Sequence, residues 1–134
     1  MKITISILFV LHLVVTLWHG DAHSTLGIQL SFFQTLYVYL IILGAPVVGV
    51  ILVWSRFMLV GIGLFAISMA GALVFAVCYH YILVSPDNIA HLPVGAAVVQ
   101  AQFIDSAALS AIMELLSTLF GFFALGYTYA DKNK

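Results

Sequence analysis

The sequence predicts an all-α integral membrane protein in which four transmembrane helices form a bundle with both termini in the cytoplasm. Of the 134 residues, 64% are hydrophobic and only 7% are charged, whereas a soluble domain carries roughly 25% charged residues. The apolar residues also fall into four windows near the length of about 20 residues that a helix needs to cross a bilayer. Most of the surface is therefore expected to face lipid.

The predicted spans make one four-helix transmembrane domain over residues 1–134, with spans at about 3–20, 30–54, 57–84 and 104–129. Turn-forming residues separate them, in the segments "GDAHSTLG", "WSRF" and "SPDNIAHLPVGAAVVQAQFID". Lipid offers no hydrogen-bond partner to a free backbone, so each span is expected to be a helix. No alternating pattern of the barrel type competes with this interpretation.

The first span also resembles a signal peptide, because a hydrophobic run follows Lys2 and small residues precede a candidate cleavage point after Ala22. A histidine is uncommon in the apolar centre of a signal peptide. His12 therefore favours a helix that is retained in the mature protein.

Histidines follow one another along the first span. At about 100° per residue, His12, Thr16, His19 and His23 fall on one stripe. The alignment includes His23 only if the helix continues past Gly20, which is a typical helix terminator.

The second and third spans each carry one polar feature. Pro46 lacks an N–H and is expected to kink the second span near Ile42. In the third, His80 lies between Tyr79 and Tyr81, so it either belongs to an interfacial aromatic belt or turns inward toward the histidines of the first span.

The fourth span carries Glu114 near the predicted middle of the bilayer. A bare carboxylate there is costly, so Glu114 is expected to face the interior of the bundle. His12 is at a similar depth in the first span. The sequence therefore predicts that His12 and Glu114 form a buried polar pair.

The positions of the basic residues predict the orientation. With four spans, every Lys and Arg falls on one side, which is expected to be the cytoplasmic side of a bacterial or archaeal membrane. These residues are Lys2, Arg56, Lys132 and Lys134. Four basic residues and a net charge of −1 give no basic patch for nucleic acid, so the lipid bilayer is the expected environment.

Histidines and acids gather on the other side and predict a transition-metal site there. The expected ligands are His19, His23, His80, His91 and Asp21. His19 and His23 are four residues apart, which places two imidazoles one helical turn from each other. Cys78 is the single cysteine and lies in an apolar run. Imidazoles without thiolates suit copper(II), zinc or iron, and Asp21 is expected to orient a ligating imidazole. Asp87 and Asp105 are alternative oxygen donors.

Two other interpretations stay open. In the first, haem b lies between His80 and either His12 or His19, as in an electron-transfer bundle. In the second, the chain is a non-catalytic accessory subunit of a larger membrane complex, or a homo-oligomer, and its histidines are merely interfacial. No phosphate loop, "GxSxG" or "HExxH" motif is present, so the sequence identifies no catalytic residue.

Overall fold

The computed structural model describes residues 1–132, and in this part of the chain it contains helices and no strand. Four helices are long and apolar enough to cross a membrane, which confirms the predicted helical class. Their bounds are Lys2–Thr25 for α1, Phe32–Val53 for α2, Met58–Ile82 for α3 and Ala97–Lys132 for α4.

Two helices are longer than the apolar windows predict. Helix α1 continues through Gly20 to Thr25, and the chain turns at Gly27, whose φ of 66° lies in the left-handed region that favours glycine. Helix α4 begins at Ala97 rather than near residue 104. The reason is that polar residues such as Gln100 end an apolar window without ending a helix.

The four helices run up and down, so their ends gather at two opposite ends of the bundle. At the first, called the terminal end here, the Trp54 indole donates to Ser6 Oγ at 3.0 Å and Thr128 Oγ1 lies 3.8 Å from Met1 Sδ. Lys2 also lies over the Trp54 ring there. The 26–31 and 83–96 loops lie at the opposite end, called the histidine end. The predicted placements of the Lys132 and Lys134 side chains fall outside the described part of the chain.

Helix α4 packs along α1 and α3, while α2 packs mainly on α3. The apolar core lies in the terminal half and consists of buried residues from all four helices, namely Ile5, Val53, Ile62, Phe65, Met69 and Ala124. Helices α2 and α3 cross closely here because both carry a glycine at the contact. A Cβ added to Gly61 would lie 2.5 Å from Val53 N and 2.7 Å from Gly49 O. Such small-residue contacts bring helix backbones together in membranes.

Two helices contain a π-helical segment, in which the backbone bonds span five residues instead of four. The segments are Val38–Gly44 in α2 and Cys78–Ile82 in α3. The first lies just before Pro46, which has no N–H to donate to Ile42 O, four residues earlier. His12 Nε2 donates to that carbonyl instead, at 3.2 Å, and the His12 side chain is buried. A side chain of α1 thus bonds to the backbone of α2 in the turn that precedes the proline.

The crossing of α2 and α3 predicts a strong effect of adding one methyl group. We expect Gly61→Ala to destabilise the protein by about 3 kcal/mol, because the new Cβ meets backbone atoms that have no room to move. Thermal unfolding in detergent, followed by circular dichroism, measures the change. Gly126→Ala is the matched control, since a Cβ there meets nothing within 4 Å. Equal melting temperatures for the two variants would contradict the close crossing.

The bond between His12 and Ile42 predicts a non-additive pair of substitutions. We expect His12→Leu to cost about 1–3 kcal/mol, because it leaves a buried carbonyl without a partner. In a Pro46→Ala background the same change is expected to cost less, because residue 46 then supplies an N–H. The four proteins of this double-mutant cycle are compared by thermal unfolding, and strict additivity would rule out the shared carbonyl.

Candidate metal centre at the histidine end

Three histidines meet inside the histidine end of the bundle. His19 and His23 lie one turn apart on α1, and His80 comes from the π-helical segment of α3. One ring nitrogen of each lies within 4.8 Å of those of the other two. The ring centroids are 4.7 Å apart for His19 and His23 and 4.8 Å apart for His19 and His80. We call these three residues the histidine triad.

The π-helical segment separates His80 from its aromatic neighbours. His80 is 5% exposed, whereas the adjacent Tyr81 is 41% exposed. Leu83 N donates to Cys78 O across five residues, so the helix holds one more residue in this turn than an α-helix does. Of the two placements expected from the sequence, the structure therefore has the inward one for His80.

The hydrogen-bond partners of two histidines fix which ring nitrogen carries the proton. His80 Nδ1 lies 2.9 Å from Asp87 O, and a carbonyl only accepts, so Nδ1 is the donor. His19 Nδ1 lies 2.8 Å from Ser106 Oγ, whose own proton goes to Phe103 O. With its proton donated to Phe103 O, the serine accepts from His19 Nδ1. In this arrangement both imidazoles hold their proton on Nδ1 and keep a lone pair on Nε2.

The third histidine faces an acid. His23 Nε2 lies 3.3 Å from Asp87 Oδ1, at ion-pair distance, although the alignment is not that of a hydrogen bond. A neutral His23 with its proton directed at this carboxylate keeps its lone pair on Nδ1. Asp87 thus contacts two members of the histidine triad, one through its backbone and one through its side chain.

Within the described part of the chain, no hydrogen-bond donor faces the ring nitrogens that keep a lone pair in two of these histidines. His19 Nε2 and His23 Nδ1 are both buried, and neither has a hydrogen-bond partner among the described residues; His12 Nδ1, outside the triad, is a third such nitrogen. Buried nitrogen acceptors almost always have a partner, so two of them side by side call for an explanation. In metal sites the same pattern is ordinary, because a ligating histidine gives one nitrogen to the ion and the other to a carboxylate or carbonyl.

A cavity of about 240 Å³ adjoins the histidine triad. Four further polar side chains line it, Thr16, Asp87, Ser110 and Glu114. Its remaining walls are mostly apolar and include Ile28, Leu30, Val38, Ile42, Phe75 and Ala76. A ligand on the histidine triad would therefore have space beside it in a largely apolar chamber.

The structure does not bring two predicted site residues into this cluster. His91 is exposed and is not part of the group whose ligand atoms lie together. Asp21 is also exposed, and it accepts from Gln102 Nε2 at 3.1 Å. Asp21 follows His19 by only two residues, and two residues turn an α-helix by about 200°, so the two side chains point in opposite directions.

The acid that does contact the histidine triad is Asp87, which the sequence offered only as an alternative donor. It comes from the 83–96 loop, where Asn88 Nδ2 donates to Leu83 O and Ile89 N donates to His80 O. Sequence reasoning missed Ser106 entirely. Its signal in the sequence is weak, because a serine in the more polar first part of a helix is common and only the packing of α4 on α1 reveals its partner.

His12 and Glu114, the predicted polar pair, are each buried, with 1% and 3% of their surface exposed. No hydrogen bond joins the two among those the structure describes. His12 Nε2 bonds to Ile42 O, as described above, whereas Glu114 lines the cavity next to the histidine triad. The two side chains therefore do not pair: His12 bonds to the backbone of α2, and Glu114 faces the cavity.

The chain matches no known protein family, no curated protein and no solved structure. Any function must therefore be inferred from the site itself.

Asp87 predicts a specific pH dependence of the metal-free protein. Burial raises the pKa of this carboxyl from 3.8 to about 6. An acid with a raised pKa in the folded state favours folding below its unfolded pKa, and this benefit is lost as the pH rises through the folded value. With chelator present, we expect the wild type to lose melting temperature relative to Asp87→Asn between pH 4 and pH 6, and no further above. A relative gain over that range would mean that pairing with a protonated His23 outweighs burial.

Proposed function

We propose that this protein is an integral membrane protein that binds one transition-metal ion through the histidine triad and uses it in redox chemistry or metal handling. The proposed ligand atoms are His19 Nε2, His23 Nδ1 and His80 Nε2. The observation that carries the proposal is the placement of the three imidazoles. His19 Nδ1 and His80 Nδ1 each lie at hydrogen-bond distance from an oxygen, and His23 Nε2 lies 3.3 Å from Asp87 Oδ1. A lone pair on the other nitrogen of each ring would be free for a metal.

The donor set favours particular metals. Three imidazoles without a thiolate suit copper(II), zinc or iron(II). Three protein ligands leave a fourth position on a tetrahedral ion, which is the pattern of catalytic rather than structural sites. The cavity beside the histidine triad provides space for a water or another small ligand at that position.

Haem fits less well than a single ion. The rings of His19 and His80 contact each other edge to face, with an interplanar angle of 77°. Two axial ligands would have to stand on opposite sides of a flat macrocycle, so these contacting rings would first have to separate.

The orientation belongs to the same proposal. Lys2 and Arg56 lie at the terminal end, and basic residues mark the cytoplasmic side of membrane proteins. The histidine end would then lie on the outer side of a bacterial or archaeal cytoplasmic membrane. A metal bound there would exchange with the periplasm or the cell exterior.

Metal analysis of the detergent-purified protein tests the proposal. After loading with zinc, copper(II) or iron(II) and removal of excess metal, we expect about one ion per chain in the wild type. His19→Ala, His23→Ala and His80→Ala should each lower the affinity roughly 100-fold or more, since disturbing even an outer partner of a ligand costs 10–100-fold.

His91→Ala is the matched control, because it removes an exposed histidine at the same end of the bundle. It should bind metal as the wild type does. Circular dichroism confirms that each variant is folded. If the three triad variants keep the wild-type affinity and stoichiometry, the histidine triad is not a metal site.

A further inference from the structure

The cavity has a second polar group that the proposed metal site does not use. Glu114 is 3% exposed, and its Oε2 is buried with no hydrogen-bond partner among the described residues. Carboxyls at this depth in a membrane protein are costly and tend to mark functional sites. Glu114 lines the same cavity as the histidine triad, so a molecule held there would meet both.

Glu114 is not positioned as a fourth metal ligand. Within the described part of the chain, the group of ligand atoms that lie within 4.8 Å of one another contains the three histidines and no carboxylate. Space therefore separates the Glu114 carboxyl from the metal position. Ser110, one helical turn before Glu114, and Thr16, on α1, are the neutral polar side chains of the same lining.

The dimensions of the cavity limit what could fill this space. An apolar cavity of about 150 Å³ holds one benzene molecule. The volume here is about 240 Å³, which is enough for one aromatic ring and a polar head of a few atoms. Apart from the groups named above, the walls are aliphatic side chains and Phe75, so the body of such a molecule would be apolar.

The charges around the cavity indicate which polar head group a bound molecule would carry. Among the residues that the structure describes, no lysine or arginine lines the cavity. A divalent ion on three neutral imidazoles carries two positive charges, and with Glu114 in its acid form the Asp87 carboxylate beside His23 offsets only one of them. In a chamber with apolar walls this favours a ligand with a single negative charge on the metal. Glu114 in its acid form has one O–H to donate to that ligand.

Resting on the proposed metal site, we infer that the cavity binds a small organic monoanion whose oxygen head coordinates the metal and accepts a hydrogen bond from Glu114. Its apolar body is about one aromatic ring in size and packs against the apolar walls. Glu114 is a binding residue for this anion.

Carboxylates of increasing size test the inference on the protein loaded with cobalt(II), whose visible spectrum reports a new ligand. We expect benzoate to bind roughly tenfold or more tightly than acetate, because its ring becomes buried. 1-Naphthoate, with two rings, should bind more weakly than benzoate. Equal affinities for acetate and benzoate, or tighter binding of naphthoate, would overturn the proposed fit.

Two substitutions test the role of Glu114. Glu114→Gln keeps an N–H donor and should bind benzoate within about threefold of the wild type, whereas Glu114→Ala should weaken binding about tenfold. Both should keep the cobalt spectrum of the ligand-free protein, which also shows that they are folded. If Glu114→Ala loses cobalt through misfolding, the size series and Glu114→Gln still decide.

The possible failures are distinguishable. If cobalt binds to the wild type but Glu114→Ala binds benzoate as well as or better than the wild type, Glu114 is not the donor and only this inference falls. If cobalt does not bind to the histidine triad at all, the proposed function falls and the inference falls with it.

Discussion

Hydrogen bonding of buried polar groups is the constraint on which this structure depends. A polar group buried between apolar helices needs a partner from the protein, a water or a ligand, because a buried group without one costs free energy. At Pro46 a neighbouring helix meets this need, because His12 Nε2 bonds to Ile42 O, the carbonyl four residues before the proline. At the histidine end the imidazole protons face acceptors, whereas His19 Nε2 and His23 Nδ1 lack a partner among the described residues, as His12 Nδ1 does elsewhere in the bundle.

The two halves of the bundle are built on different principles. In the terminal half, glycines bring α2 and α3 into backbone contact, and a cluster of buried apolar side chains fills the space between the helices. In the histidine half, the helices stand far enough apart to leave a cavity, which polar groups from α1, α3, α4 and a loop surround. The close packing of the terminal half holds the helices together, and the histidine half can therefore contain a cavity with polar side chains.

The sequence predicts the helical class well, because composition and length decide it. It predicts helix ends less well. Gly20 looks like a terminator, yet the chain turns at Gly27, since a glycine in a helix costs only about 1 kcal/mol and packing outweighs that cost. For α4, hydropathy marks where lipid contact is expected to begin, which is a different position from the start of the helix.

In the candidate site, too, some features follow from the sequence and others only from the fold. The spacing of His19 and His23 guarantees their proximity once α1 is helical, so the sequence alone could identify them. The inward direction of His80 depends on one extra residue in a helical turn, which no periodic pattern reveals. The choice of Asp87 over Asp21 depends on how a loop folds over the end of the bundle, and that is settled by contacts between segments distant in sequence.

The π-helical turn at Cys78–Ile82 also makes this segment intolerant of length changes. A chain lacking Tyr79 would close this turn as a regular α-helix, and His80 would move by about 100° around the helix relative to the residues before it. The segment after the turn would keep its place, because a regular α-helical turn needs one residue fewer. An ordinary substitution removes one ligand, whereas this single-residue deletion would turn an intact His80 away from α1 and from the loop that supports it.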